Sequence, residues 1–311
     1  MSDPLSTWND GPNKSAIADF VTEVTTEGGP HFVPAAERIA TFDNDGTLWV
    51  EKPNYIQLAH GLLTIARKAE ATPEVRDRQP FKAVCENDRG WLGKVAADYA
   101  AGDPSGMMIL LGGFIEATAG ITVEAFDADA LDFLSTSRHE RFGVPYKQLT
   151  YTPMVELVHY LQANGFQVHL TSGGGRDFMR AVCEEIYGIP RSMAIGSSIA
   201  TEFTEDAQGV AQLLRTTTIE QPIDDGPGKP PHIHRSIGRR PIMAAGNSDG
   251  DIHMLKYAAG HNGLSLSLLV HHDDADREYA YDTLSEQALQ LAPTVGWIVV
   301  SMKNDWKTIF P

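Results

Sequence analysis

The chain is built around the stretch Arg38-Ile39-Ala40-Thr41-Phe42-Asp43-Asn44-Asp45-Gly46-Thr47-Leu48. Its β-forming first half runs into two carboxylates one residue apart, which is the pattern of a buried strand that ends in a reactive loop. Open α/β sheets build their sites at the carboxyl edge of parallel strands, so Asp43 is expected to project into a crevice. Gly46 then permits a sharp turn or a close approach of the backbone to a ligand.

An Asp-Asn-Asp-Gly run is also typical of a plain turn, because these residues favour turns for local reasons. Three further segments, each in a predicted strand-to-loop context, argue against that alternative. They are Ser172-Gly173-Gly174, Gly228-Lys229 and Gly246-Asn247-Ser248-Asp249-Gly250-Asp251. In this order the four segments resemble the haloacid dehalogenase-like superfamily of phosphohydrolases, most closely its phosphoserine-phosphatase-like branch. The resemblance covers roughly residues 36 to 270 and implies an α/β fold, with a Rossmann-like parallel-sheet core and an inserted helical cap.

The pattern of apolar residues divides the chain into two units. Residues 1–51 and 149–311 are predicted to form the α/β core domain, and residues 52–148 the helical cap domain. After a first helix that follows residue 53, the cap shows helical patterns over 74–99, 105–119 and 123–137. The apolar run 107–114 is too short to span a bilayer and is expected in the buried interior of the cap.

Strands and helices alternate in the predicted core, as in a parallel sheet with right-handed crossovers. The predicted elements include strands over 166–171 and 241–245 and a helix over 176–187. Segments 194–203 and 210–217 are expected to form an antiparallel excursion. Four prolines and two glycines between residues 222 and 231 predict a loop, which makes Lys229 a loop residue.

The resemblance implies a role for the polar residues of the first two segments. Asp43 is the implied nucleophile, which forms an aspartyl-phosphate, and Asp45 is the implied general acid and then general base. Two carboxylates this close need different pKa values, so that one is ionised while the other carries a proton. The hydroxyl of Ser172 and the backbone of Gly173 and Gly174 are expected to bind phosphate oxygens, although a glycine loop without any function is common.

A phosphomonoester is a dianion and therefore repels an attacking aspartate. Two unit charges 4 Å apart cost roughly 4 kcal/mol at an effective dielectric constant near 20. A lysine and a divalent cation remove this cost, and Mg²⁺ is the expected cofactor because it prefers oxygen ligands and bridges protein groups to phosphates. Lys229 matches the family's neutralising lysine; the alternative is an ordinary solvated loop lysine.

The magnesium ligands implied by the resemblance are Asp43, Asp45 through its main-chain carbonyl, Asn247 and Asp251. The last segment departs from the usual pattern of this branch, because Asn247 stands where an aspartate is usual. An amide oxygen can ligate magnesium but brings no charge, so the affinity falls unless Asp249 assists. Asp251 then acts in the metal shell or through Lys229. The segment also fits a simple helix cap.

Glu51 is the candidate for binding the rest of the substrate. It lies eight residues after Asp43, at the mouth of the predicted cap. Its position is similar to that of the glutamate with which phosphoserine phosphatases bind their substrate's amino group. The alternative is that Glu51 pairs with Lys52 or with a cap arginine on the surface.

Composition restricts the partners. The 311 residues include 25 basic and 41 acidic side chains, and the formal charge of −16 argues against nucleic acid or an anionic membrane as a partner. The N-terminus lacks the basic and apolar regions of a signal peptide, which predicts a cytoplasmic protein, although a processed exported protein would look the same. Cys85 and Cys183 fall in different predicted units, so a disulfide framework is not expected. The oligomeric state is left open.

These observations together predict a magnesium-dependent phosphatase that acts on a small phosphorylated metabolite. Asp45 favours phosphatase or phosphotransferase chemistry, because superfamily members with other reactions usually lack the second aspartate. Phosphoserine-like substrates are the first expectation. Two alternatives stay open: transfer of the phosphoryl group to an acceptor other than water, and a catalytically weak metal and phosphate binding protein, which Asn247 favours.

Overall fold

The structure, a computed structural model, describes residues 3–311. Its strands in chain order are β1 (Ile39–Phe42), β2 (Gln167–Gly175), β3 (Ala194–Ser197), β4 (Ile199–Glu205), β5 (Ala211–Ile219), β6 (Met243–Gly246), β7 (Leu266–Asp273), β8 (Ala280–Tyr281) and β9 (Ile298–Ser301). The main sheet has the order β3-β2-β1-β6-β7, and β7 also pairs with β8 and β9. The β7–β8 pair is antiparallel and the other pairs of this sheet are parallel. The predicted α/β fold with a mostly parallel sheet is confirmed.

The α-helices are α1 (Pro12–Thr25), α2 (Ile56–Ala71), α3 (Phe81–Cys85), α4 (Arg89–Ala100), α5 (Ser105–Thr118), α6 (Val123–Thr136), α7 (Thr152–Ala163), α8 (Arg176–Arg180), α9 (Cys183–Tyr187), α10 (Lys229–Ile237), α11 (Ile252–Ala259), α12 (Glu286–Val295) and α13 (Met302–Asp305). Local chemistry fixes several of these ends. The Thr122 hydroxyl accepts a hydrogen bond from Ala125 N at the start of α6, and Asp88 does the same for Trp91 N at the start of α4.

Strand β1 lies at the centre of the sheet, and all of its residues are buried. Its last residue, Phe42, pairs with Leu170 of β2 and with Ala245 of β6. The residues that follow these three strand positions therefore share one edge of the sheet, which is the carboxyl edge. Asp43 is the first of them.

Three expectations about the core were wrong. Residues 194–197 do not belong to an antiparallel arm, because they form β3 and pair in parallel with β2. The helix predicted over 176–187 is interrupted and forms α8 and α9. Residues 229–231 are not in a loop, because α10 begins at Lys229 and holds both prolines in its first turn. Proline is compatible with that turn, since the first helical N–H groups have no partner within the helix.

The helical segment 56–136 and the antiparallel hairpin of β4 and β5 pack against each other. Gly120 N donates a hydrogen bond to the Arg215 main-chain oxygen, and Arg215 N donates one to the Ile121 oxygen, at 2.8 and 2.9 Å. The sequence-based cap, residues 52–148, thus has a neighbour from the core half of the chain. The division into 1–51 with 149–311 and 52–148 stays a prediction. Over residues 3–311, no helix has both the length and the apolar character needed to cross a bilayer.

Candidate active site

The loop after β1 is held rigidly by its own backbone. Leu48 N donates to the Asn44 main-chain oxygen at 2.8 Å, and Gly46, at a φ of 73°, turns the chain back so that its N–H reaches the Trp49 oxygen. His272 Nε2 donates to the Gly46 carbonyl oxygen at 2.8 Å. This loop presents Asp43 and Asp45 at the carboxyl edge of the sheet.

Lys229 lies between two carboxylates. Its ammonium donates to Asp43 Oδ1 at 2.6 Å, to Asp251 Oδ1 at 2.5 Å and to the Thr171 main-chain oxygen at 2.9 Å. The side chain is 2% exposed, and these three acceptors satisfy its three N–H groups. Burial lowers the pKa of Lys229, but Asp251 and Asp43 raise it by more, so the lysine stays charged.

Both oxygens of Asp251 are engaged. Oδ1 accepts from Lys229, and Oδ2 accepts from Asn247 N, Ser248 N and the Ser248 hydroxyl at 3.0 to 3.1 Å. Asp251 thus closes the turn after β6 and holds Lys229 against Asp43. Its predicted role as a magnesium ligand stays a prediction.

Asn247 packs directly on the loop after β1. Its Oδ1 accepts from the Thr47 hydroxyl at 3.1 Å. A Cβ added at Gly46 would lie 2.1 Å from Asn247 Nδ2, so only glycine fits beneath this side chain. Asp249 Oδ1 accepts from Ala288 N at 2.7 Å at the start of α12, and its predicted assistance to the metal site stays a prediction.

Oxygen donors follow the ends of two neighbouring strands. Asp43 comes directly after β1 and Asn247 directly after β6, and these two strands pair in parallel. Within residues 3–311, no group of three or more His, Cys, Asp or Glu side chains is arranged to bind a metal ion. Mg²⁺ keeps several waters and is commonly bound by one or two carboxylates together with substrate phosphate.

The two aspartates of the loop have different surroundings. Burial raises the pKa of Asp45 to about 7, while a hydrogen bond from Trp49 Nε1 to Asp45 Oδ1, at 2.8 Å, lowers it and Glu51 raises it. Burial, and then Asp251, raise the pKa of Asp43, and Lys229 acts in the opposite direction. Asp45 can therefore hold a proton near neutral pH, whereas Asp43 is the carboxylate in contact with a cation.

The glycine loop lies beside Asp45. Ser172 is buried, and its hydroxyl accepts from Gly174 N at 3.1 Å. A Cβ added at Gly174 would lie 3.6 Å from Asp45 Oδ2, which shows how close the two segments are. Gly175 N donates to Gln57 Oε1 of α2 at 2.7 Å.

Glu51 is buried and belongs to the same site. Its Oε1 accepts from the Tyr281 hydroxyl at 2.6 Å and from Asn247 Nδ2 at 3.3 Å. Lys52 Nζ lies 3.8 Å from the same oxygen. Glu51 therefore contacts Lys52, but as a buried side chain and not on the surface as the alternative had it, and it also lies beside the loop after β1.

Comparisons with known proteins find similarity in structure but not in sequence. No protein-family model and no curated protein sequence matches the chain. The structure of a functionally unknown protein from Anaerococcus prevotii DSM 20548 is similar, with a TM-score of 0.57 and 16% identity over 93% of this chain and 91% of that chain. A protein of unknown function from Bordetella pertussis Tohama I has a TM-score of 0.53 and 15% identity, over 85% and 98%. At these identities the likeness concerns the fold alone.

Three features agree with the resemblance seen in the sequence. They are the order of the strands in the sheet, the helical segment after β1, and the meeting of the four predicted segments at one edge of the sheet. The chain has a mostly parallel α/β fold that is similar to those two structures. A cavity of about 470 Å³ opens at the sheet edge. Asp43, Asp45, Ser172 and Lys229 line it, together with Glu51.

Several residues of the candidate site were not predicted. Gln57 holds the glycine loop, Tyr281 holds Glu51 and Arg215 lines the cavity. His272 had a weak signal, as one of two adjacent histidines, but nothing in the sequence places it beneath Gly46. These contacts join segments that are far apart in the chain, so no local pattern marks them.

Proposed function

We propose that this protein is a magnesium-dependent phosphatase, a hydrolase that cleaves a small phosphomonoester through an aspartyl-phosphate intermediate. The observation that carries the proposal is the contact of the Lys229 ammonium with Asp43 and Asp251 at the edge of the sheet. A buried lysine held against a carboxylate at the end of a central strand is suited to neutralise an anion that arrives there. Among the described residues that line the cavity, the other cation is Arg215, which pairs with Asp177.

In the first step, a carboxylate oxygen of Asp43 attacks phosphorus, and the bond from phosphorus to the alcohol oxygen breaks. The departing oxygen takes the proton that Asp45 can hold near neutral pH. In the second step, Asp45 accepts a proton from water as that water attacks the phosphoryl group on Asp43. Inorganic phosphate leaves, and both aspartates return to their first state.

Charge neutralisation is shared between the lysine and the metal. Mg²⁺, bound by Asp43, the Asp45 carbonyl and Asn247, with Asp251 as the remaining candidate, would supply a positive charge that shields the phosphoryl oxygens. Lys229 stays in contact with Asp43 during the approach of the dianion.

The glycine loop and Glu51 are proposed to bind the substrate. Ser172, Gly173 and Gly174 lie next to the general acid, where phosphate oxygens need hydrogen-bond donors. Glu51 lines the same cavity and is proposed to bind the part of the substrate beyond the phosphate. The proposed partner is a small phosphorylated metabolite.

Turnover of an aryl phosphate with and without Mg²⁺ tests this function. The wild-type protein should release phosphate only with the metal, and Asp43→Asn should be inactive with an unchanged circular dichroism spectrum. Acid-quenched protein should carry a phosphoryl group on the peptide that contains Asp43. Labelling of another residue, or turnover by Asp43→Asn within about tenfold of wild type, would exclude the covalent mechanism.

Two other functions remain to be separated from this one. Asn247, a neutral ligand in the proposed metal set, favours a catalytically weak metal and phosphate binding protein, which would bind Mg²⁺ and phosphate without turnover. A phosphotransferase would form a new phosphomonoester when an alcohol is added to the assay, and ³¹P NMR distinguishes that product from free phosphate.

A further inference from the structure

The walls of the cavity are chemically unlike its polar end. Helix α5 contributes Met107, Met108, Leu111 and Phe114, and helix α2 contributes Leu62 and Ile65. Met108 is 52% exposed, although it is a large apolar side chain. An apolar run that lines a cavity instead of filling a core remains available to contact a ligand.

The hairpin and the loop after it add further apolar side chains. Ile199 and Ile219 of β4 and β5 line the cavity, and so does Ile223, which is 43% exposed. These residues come from a part of the chain that is remote from α2 and α5. Two separate segments therefore present apolar side chains to the same space.

The positive charges of the cavity are already paired. Among the described residues that line it, the cationic side chains are Lys229 and Arg215. Lys229 contacts Asp43 and Asp251, while Arg215 donates to Asp177 at 2.6 Å and lies 3.9 Å from the centre of the Phe126 ring. Both cations already pair with carboxylates, although Arg215 Nε has no hydrogen-bond partner among the described residues. A second anionic group on a substrate would have to compete with Asp177 for Arg215, and burying it would be costly.

We infer that the substrate is the phosphate monoester of an apolar alcohol, with an alkyl or aryl group that fills the space between α5 and the hairpin. The inference rests on the proposed function for the phosphate end and on the apolar walls for the remainder. The volume of about 470 Å³ lies in the range of pockets that enclose ligands of drug size, well beyond what phosphate alone requires. The amino group of phosphoserine could lie against Glu51, but its carboxylate would face the apolar walls, where burying a charge is costly.

The test is a series of straight-chain alkyl phosphates from methyl to octyl, with phenyl phosphate as the aryl arm and phosphoserine as the charged comparison. Each methylene buried against apolar walls is worth about 0.8 kcal/mol, which is about a fourfold rise in kcat/KM per carbon until the walls are filled. A flat series, or a preference for phosphoserine over hexyl phosphate, would overturn the inference and leave the phosphatase function standing.

Met108→Lys, with Ile109→Lys as its matched control, tests whether the alkyl group of the substrate contacts the α5 wall of the cavity. Both side chains are exposed on α5, but Met108 lines the cavity and Ile109 does not. Met108→Lys should lower the ratio of kcat/KM for octyl to methyl phosphate by tenfold or more, whereas Ile109→Lys should leave that ratio as in wild type. Equal effects of the two substitutions would contradict the proposed wall.

Calorimetry with alkylphosphonates, which are not hydrolysed, tests the apolar binding site separately from the phosphatase function. If affinity rises from methylphosphonate to octylphosphonate while no phosphate ester is turned over, binding of an apolar group in the cavity is supported and the phosphatase function fails. If affinity for the phosphonates does not depend on chain length, the cavity walls do not bind the apolar group and the inference is wrong.

Discussion

Replacing Lys229 by methionine removes the charge but keeps most of the side-chain volume. Asp43 Oδ1 and Asp251 Oδ1 lie 2.6 and 2.5 Å from Lys229 Nζ, so these two oxygens are at most about 5 Å apart. Two unit charges at that distance repel by about 3 kcal/mol at an effective dielectric constant near 20. Removing one partner of a buried ion pair costs about 3 to 5 kcal/mol in measured cases. We expect a loss of that size in the free energy of unfolding near neutral pH.

Urea denaturation in the presence of a chelator measures this loss, with Lys94→Met as a control. Lys94 pairs with Asp98 on the surface, where its side chain is 71% exposed, so the control should unfold nearly as wild type does. Protonation of either buried carboxyl removes the repulsion, so the deficit of Lys229→Met should shrink as the pH falls from about 8 to about 5. A deficit below about 1 kcal/mol, or one independent of pH, would refute the electrostatic role of the lysine.

Three further substitutions test the site. Asn247→Asp places a carboxylate beside Glu51 and should therefore lower the melting temperature in the absence of Mg²⁺. As Mg²⁺ is titrated, the melting temperature of this variant should rise more steeply than that of wild type. An unchanged titration would mean that Asn247 is not a ligand. Glu51→Gln should raise KM for an amino-bearing phosphate by roughly tenfold and leave KM for an aryl phosphate unchanged, because a charge-assisted hydrogen bond is lost. The control is Tyr281→Phe, which keeps the charge of Glu51. Equal losses on both substrates would argue against selection of the substrate by Glu51. Burial raises the pKa of Asp224 to about 8, and neither of its oxygens has a hydrogen-bond partner among the described residues. Because the ionised carboxyl is less stable in the folded protein than in the unfolded chain, the free energy of unfolding should fall as the pH rises from about 4 to about 8. Asp224→Asn should remove this slope and be the more stable protein at pH 8, and parallel pH curves for the two proteins would show that the buried carboxyl is not its source.

Much of the fold could be predicted because its signals are local. The strand at Ile39–Phe42 and the helices Ser105–Thr118 and Val123–Thr136 agree with the expected elements to within about two residues. Each has a periodic apolar pattern and clear residues at its ends. The order of four polar segments after strands was enough to predict a shared sheet edge, since parallel strands end on the same side.

The errors arise where one local pattern fits two structures. Prolines at 230 and 231 were interpreted as loop residues, yet the first turn of a helix accepts them equally well. The run 107–114 was expected to be buried, and it is apolar because it lines a cavity, so Met108 stays exposed. Composition cannot distinguish a core from a binding wall, because both place apolar atoms away from bulk water.

The paired main-chain hydrogen bonds between residues 120–121 and Arg215 make the helical segment and the hairpin a mechanically coupled pair. Because these hydrogen bonds join the two elements that carry the cavity walls, a shift of one element would be transmitted to the other. Substitutions on α5 and on β5 should then have non-additive effects on ligand affinity, although their side chains lie on different elements. Altering the specificity of this protein by design is therefore a problem of choosing residues such as Met108 and Ile219 jointly.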